Sequence, residues 1–148
     1  MSTRDHVHEE EFPVPAEQLF ALLLTPSAIR GWWGASAAIV LPEVGGTWAA
    51  RWGAEDGPDY LTIARIRALE PGARLVLGDY QYFAKEGGLP FEAEFETEFQ
   101  VSSTPDGATL RVTQRGFPAG SEADAYYAAC QQGWCDTFAG IHRYLREQ

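Results

Sequence analysis

The residues able to do chemistry in this chain are few, and their spacing points away from catalysis. Four glutamates alternate with apolar side chains in F-E-A-E-F-E-T-E-F-Q-V, Phe91 to Val101. Paired carboxylates can serve as general acid and base or hold a cation. On an extended strand, however, Glu92, Glu94, Glu96 and Glu98 share one face with Gln100, and Phe91, Ala93, Phe95, Thr97, Phe99 and Val101 share the other. The following run, T-L-R-V-T-Q-R-G, puts Arg111 and Arg115 on one face. Folding that hairpin about Thr104–Gly107 pairs Val101 with Leu110, sets Glu96 opposite Arg115 and Gln100 opposite Arg111, and leaves Glu98 diagonal to both arginines. The acids are therefore expected on a solvated face, in cross-strand pairs worth about 0.2–1 kcal/mol each.

His6, His8 and Glu10 form H-x-H-x-E, which could ligate a metal, but nothing else in the chain offers a matching third or fourth ligand. The two histidines are expected to be exposed on a terminal strand, and His142 to be exposed on the last helix. Cys130 and Cys135 fall about 140° apart on that helix and cannot bridge there. They read as unpaired thiols in a reducing compartment. No nucleophile elbow, phosphate loop or zinc-protease helix is present. No cofactor and no metal are expected.

The aromatic residues carry more information. They make up 13% of the chain, five of them tryptophans. Trp48 and Trp52 share a strand face, Tyr80 and Tyr82 another, and Phe91, Phe95 and Phe99 a third. Tyr127, Trp134 and Phe138 come from the last helix, and Trp33 ends an early one. Singly each ring reads as core; together they could wall a cavity. Arg51, Gln114 and Asp79 are the candidates for inward polar groups. The residues expected around a ligand are Trp33, Trp48, Arg51, Trp52, Tyr80, Tyr82, Phe95, Phe99, Gln114, Tyr127, Trp134 and Phe138.

The elements that must position them are legible from turn chemistry and periodicity. A strand is predicted over Arg4 to Phe12. A helix follows Pro15, with Leu19, Phe20, Leu23 and Leu24 as its stripe. Thr25-Pro26 starts a second helix that Gly34 stops. Strands are predicted at Ala37–Leu41, Thr47–Trp52, Tyr60–Leu69, Arg74–Tyr82, Phe91–Val101 and Thr109–Gly116, separated by Gly- and Pro-rich turns. A meander of hairpins is the economical topology. The frame of Tyr60–Leu69 is mixed, as a bulge would make it. Ser121 and Asp124 suggest a capping box. Ala123, Tyr127, Cys130, Trp134, Phe138, Ile141 and Leu145 then make one stripe along a helix of some six turns. Gly133 and Gly140 inside it suggest close backbone approach.

Bulk properties bound the partners. Hydrophobic residues at 45% and charged residues at 22% describe a folded globular chain, expected to form one domain over 1–148. A net charge of −10 with a single lysine, Lys85, argues against nucleic acid and anionic membranes. No apolar run is long enough to span a membrane, and the N-terminus lacks a signal-peptide core, so a cytoplasmic location is expected.

Five segments in order resemble the SRPBCC superfamily, the START-like or helix-grip fold, and within it the branch named after the activator of the ninety-kilodalton heat-shock chaperone's ATPase. They are 14–34 with its terminal tryptophans, L-P-E-V-G-G-T-W-A-A-R-W at 41–52, I-R-A-L-E-P-G-A-R-L-V-L at 66–77, G-A-T-L-R-V-T-Q-R-G-F-P at 107–118, and the Gly-Trp helix opening at 131–145. The resemblance implies an α+β fold: an antiparallel, roughly seven-stranded curved sheet wrapped around a long C-terminal helix, with two short helices near the N-terminus. It implies a cavity between sheet and helix, used across the superfamily for hydrophobic ligands, and does not imply catalysis. Three functions follow as expectations: binding of a small hydrophobic or aromatic molecule without defined chemistry; a polyketide cyclase or aromatase-like reaction using Arg51, Asp79, Tyr80, Tyr127 or Gln114; or a co-chaperone-type protein-binding module. A homodimer through a sheet edge or the Trp32–Trp33 end is compatible with each.

Overall fold

The structure, a computed structural model, describes residues 2–148. Its elements run β1 (Thr3–Phe12), α1 (Ala16–Leu24), α2 (Pro26–Trp33), β2 (Ala37–Val40), β3 (Thr47–Ala54), β4 (Gly57–Glu70), β5 (Arg74–Ala84), β6 (Glu96–Thr104), β7 (Gly107–Pro118) and α3 (Asp124–Arg146). All seven strands form one antiparallel sheet in the order β1-β7-β6-β5-β4-β3-β2. Strands β2 to β7 are a hairpin meander, as expected, and only β1 crosses over to pair with β7. With two short helices after the first strand and a long C-terminal helix, this is the helix-grip α+β fold.

Local chemistry explains the elements. α1 buries Leu19, Phe20, Leu22 and Leu23, and α2 buries Ala28, Ile29 and Trp32. Gly34 ends α2 in the left-handed region at φ 73°, its N–H donating to the Arg30 carbonyl. Thr25 does not cap α2 with its side chain; its Oγ1 donates back to the Ala21 carbonyl at 2.7 Å. Ser121 likewise makes no capping bond, because Ser121–Ala123 form a 3-10 turn ahead of α3. Along α3, Trp134, Phe138 and Ile141 are buried and Tyr127, Cys130 and Leu145 half-buried, so the stripe faces the core.

The two helix glycines differ. A Cβ on Gly140 would sit 2.4 Å from the Trp32 carbonyl oxygen, so α3 and α2 touch backbone to side-chain position there. A Cβ on Gly133 would meet nothing within 4 Å. Close approach is therefore the reason for Gly140 alone. Gly133→Ala is expected to stabilise the protein by up to about 1 kcal/mol through helix propensity. Gly140→Ala is expected to destabilise it by about 1–2 kcal/mol, overpacking outweighing propensity. Urea denaturation of the two variants checks the opposite signs.

The β6–β7 register matches the sequence expectation: Val101 faces Leu110, Glu96 faces Arg115 and Gln100 faces Arg111. The expected bulge in β4 is present, with Arg67 as the extra residue opposite Leu77–Val76, and β5 carries its own at Asp79. Asp79 has φ 52° and its carboxylate receives Arg67 Nη2 at 2.7 Å.

The strand expected over Phe91–Val101 begins only at Glu96. Pairing of β5 with β6 stops at Leu77–Thr97, just before the Asp79 bulge turns β5 away. Residues 91–95 have no strand of β5 to pair with, and Ala93 is exposed along with Glu92 and Glu94. The carboxylate face also departs from expectation. Glu98 is buried, accepting Arg74 Nε and Arg115 Nη2 at 2.6 Å each, while Glu96 bridges Arg67 and Arg115 at 3.0 and 3.2 Å. These two bonds hold the Glu98 carboxyl below its usual range.

The histidines were misplaced as well. His6 is buried against the rings of Phe117, Tyr127 and His8. His142 is half-buried, packed on Phe12 and bonded to Glu10 at 2.8 Å. Both histidines are covered because β1, although the edge strand of the sheet, packs against α3, whose Tyr127 lies on His6 and whose His142 bonds Glu10. Among the described residues no helix is long and apolar enough to cross a membrane, and no group of three or more metal-ligating side chains is present.

Candidate functional site

The inner face of β5, β6 and β7 is roofed by α3, and a cavity of about 1230 Å³, partly open to solvent, lies between them. It is larger than the roughly 300–1,000 Å³ common for small-molecule sites. Its walls include Leu77, Tyr80 and Tyr82 from β5, Thr97 and Phe99 from β6, and Gln114 and Phe117 from β7. Trp134 and Tyr126 come from α3, Trp33 from the end of α2, Trp48 and Trp52 from β3. Segment 89–96 closes the mouth, its Phe95 packing on Phe117 at 4.9 Å and its Phe91 on Tyr126 at 5.7 Å between ring centroids.

Nine of the twelve residues expected from sequence border this cavity: Trp33, Trp48, Trp52, Tyr80, Tyr82, Phe95, Phe99, Gln114 and Trp134. Three do not. Arg51 turns outward beside Ser36, its Nε 3.5 Å from the Ser36 hydroxyl. Tyr127 lies on the β1 side of α3 and donates to the Asp5 carbonyl at 2.7 Å, with the Arg4 guanidinium over its ring. Phe138 sits one turn below the cavity, packed against Phe12 and Trp134. Asp79, a further candidate for an inward polar group, is exposed and paired with Arg67.

The sequence reading missed Tyr126, Thr97 and Phe117. Tyr126 could have been found, since it stands four and eight residues before Cys130 and Trp134 on one helix face. Thr97 shares the strand face of Phe95 and Phe99. Phe117 needed the cavity's far wall to be known.

At the deep end the tryptophans form one cluster. Trp33 is its centre, with ring centroids 4.8 Å from Trp32, 5.5 Å from Trp52, 5.7 Å from Trp48 and 5.9 Å from Trp134. Four indole N–H groups are already spent: Trp32 on the Leu22 carbonyl, Trp48 on Leu23, Trp52 on Trp33 and Trp134 on Gln114 Oε1. These bonds, at 2.9–3.2 Å, lock the rings as rigid walls. Among the polar groups of the wall, Tyr80, Thr97 and Gln114 meet one another. Tyr80 donates to Thr97 Oγ1 at 2.7 Å, and burial pushes its phenol up to about 12. Burial also raises the Tyr126 phenol and the Cys130 thiol. At neutral pH these groups are protonated; the charged side chains of the wall include Arg67, Glu96 and Arg115, which are held in ion pairs with one another.

An antiparallel sheet gripping one long helix over a ring-walled cavity defines a helix-grip protein. The chain belongs to the Activator of Hsp90 ATPase homolog 1-like protein family, which it matches over residues 13–146. The fold recurs in a crystal structure from Mesorhizobium loti, 24% identical, with a TM-score of 0.78 and 98% of each chain covered. It recurs in a protein of Rhizobium leguminosarum, 18% identical, with a TM-score of 0.79 over 99% of this chain and 97% of that one. CalU16 of Micromonospora echinospora is 17% identical, with a TM-score of 0.72 over 97% of this chain and 75% of its own. At these identities the likeness speaks for the fold. No curated protein matches the chain.

Proposed function

We propose that the protein binds a small hydrophobic or aromatic molecule in the cavity between sheet and α3, without a defined chemical step. The observation that carries this reading is the cavity of about 1230 Å³ walled by tryptophan, tyrosine and phenylalanine rings. Apolar burial at about 25 cal/mol per Å² gives such a wall the capacity to hold a ligand of a few rings tightly.

The cyclase-like alternative needs several polar groups converging on one point. Of its five candidates only Tyr80 and Gln114 meet inside the cavity; Arg51, Asp79 and Tyr127 face elsewhere. A phenol held near 12 is a poor proton shuttle at neutral pH.

Native mass spectrometry of gently purified protein, followed by solvent extraction, tests the proposal. A reproducible adduct that extracts as an apolar or aromatic compound is expected. A bare mass, together with no uptake of any neutral naphthalene probe, would sink it.

A further inference from the structure

Four residues of the cavity wall, Trp134, Gln114, Thr97 and Tyr80, form one connected polar group, and its hydrogens can be counted. The Trp134 indole N–H can only donate, and it donates to Gln114 Oε1 at 2.9 Å. That contact fixes the amide orientation: the Gln114 nitrogen faces Thr97 and donates to its Oγ1 at 3.4 Å. Tyr80 OH lies 2.7 Å from the same oxygen. One proton serves that contact, whichever hydroxyl supplies it.

Trp134, Gln114, Thr97 and Tyr80 bring five polar hydrogens in all, and the three bonds use three of them. One hydroxyl hydrogen and one amide hydrogen are left over. No further acceptor for them occurs among the side-chain bonds of the described residues. The carboxylates on either side of Thr97 along β6 are committed: Glu96 to Arg67 and Arg115, and Glu98 to Arg74 and Arg115. Spare lone pairs on oxygen are tolerated in interiors far better than idle N–H or O–H groups.

The missing partner is therefore an acceptor. It is also neutral, since both arginines at the wall, Arg67 and Arg115, are already in ion pairs with Asp79, Glu96 and Glu98. An anionic group would find no free cation and would be desolvated without compensation.

We propose that the ligand is an apolar, ring-sized molecule carrying a neutral acceptor oxygen, of the ketone, ester or quinone carbonyl class, seated on Tyr80, Thr97 and Gln114. This rests on the cavity-binding reading above and adds the group that orients the ligand within it. The rings supply affinity, and the donor group selects carbonyl compounds over hydrocarbons of the same shape.

A matched pair of probes tests it: 2-acetylnaphthalene and 2-isopropenylnaphthalene, which differ in a carbonyl oxygen against a methylene of similar size. Binding is read by quenching of the cavity tryptophans and by calorimetry. The wild-type protein is expected to bind the ketone roughly five- to tenfold more tightly, despite the greater hydrophobicity of the alkene. In the double variant Tyr80→Phe/Thr97→Val the ratio is expected to fall to about twofold or less. Equal binding of both probes to the wild type overturns the acceptor proposal and leaves the cavity reading standing. Binding of neither overturns both. The wild-type comparison does not depend on the variant's folding, which circular dichroism reports separately.

Discussion

Gly116→Ala is expected to cost about 3 kcal/mol of stability, more than a single methyl group ordinarily could. Gly116 is in β7 where two residues, Arg115 and Gly116, face Asp5 alone, and its φ is 96°. An L-residue held there carries backbone strain of about 1–3 kcal/mol. In addition, a Cβ at this position would press on the Glu94 carbonyl oxygen, which is backbone and cannot swing aside. Relief requires either the bulge to straighten or segment 91–95 to lift. Lifting that segment pulls Phe95 from Phe117 and widens the cavity mouth. Urea denaturation should show the loss, with Gly88→Ala as a control, because a Cβ there meets nothing within 4 Å. A change within about 0.5 kcal/mol of wild type would remove Gly116 as the anchor of the mouth.

Acidification is expected to weaken the fold well before the carboxylates titrate, through His6. Its ring is buried among Phe117, Tyr127 and His8, with Nδ1 2.9 Å from His8 Nε2. Its own Nε2 has no partner among the described residues. Burial first, then the neighbouring His8, lowers its pKa from 6.5 to about 4, against a smaller opposing pull from Asp5. The unfolded chain then takes up a proton near pH 6.5 while the folded chain does not. Stability is full above pH 6.5 and is lost as the pH falls towards 4, by about 3 kcal/mol across the window and about 2 kcal/mol between pH 7 and 5. His8, also lowered by burial, adds in the same direction. Glu98 adds a further loss only lower down, as the pH falls below the ordinary carboxylate range. His6→Phe keeps a ring in the site and removes that titration, so its stability between pH 7 and 5 should be much flatter than the wild type's, with only the His8 contribution left. A wild-type profile equally flat over that interval would show that His6 accepts its proton in the folded state.

Both effects originate where the sequence reading was weakest. The alternation of Phe91–Val101 is real, but alternation shows which way side chains would point if a strand formed, and not whether a partner strand is there. Asp79 at φ 52° turns β5 aside after Leu77, and Glu94–Phe95 instead pack across the Gly116 bulge. The solvated glutamate face failed at Glu98 for a related reason: curvature brings Arg74 of β5 and Arg115 of β7 in from both neighbouring strands, and their side chains cover the carboxylate. Arg51 and Asp79 could not be assigned a side because each stands next to a bulge or twist that a two-residue period does not register.

What the sequence determined by itself was the inventory and order of elements, the β6–β7 register, the buried stripe of α3 and the family. These depend on periodicity, turn residues and hairpin geometry, which are properties of neighbours along the chain. Tertiary structure alone decided that β1 crosses to β7 and buries His6. It decided that segment 91–95 closes a mouth, and that Tyr80, Thr97, Gln114 and Trp134 meet as one hydrogen-bonded group. Those four residues come from four separate elements, and only the curvature of the sheet around α3 brings their polar atoms within hydrogen-bonding distance.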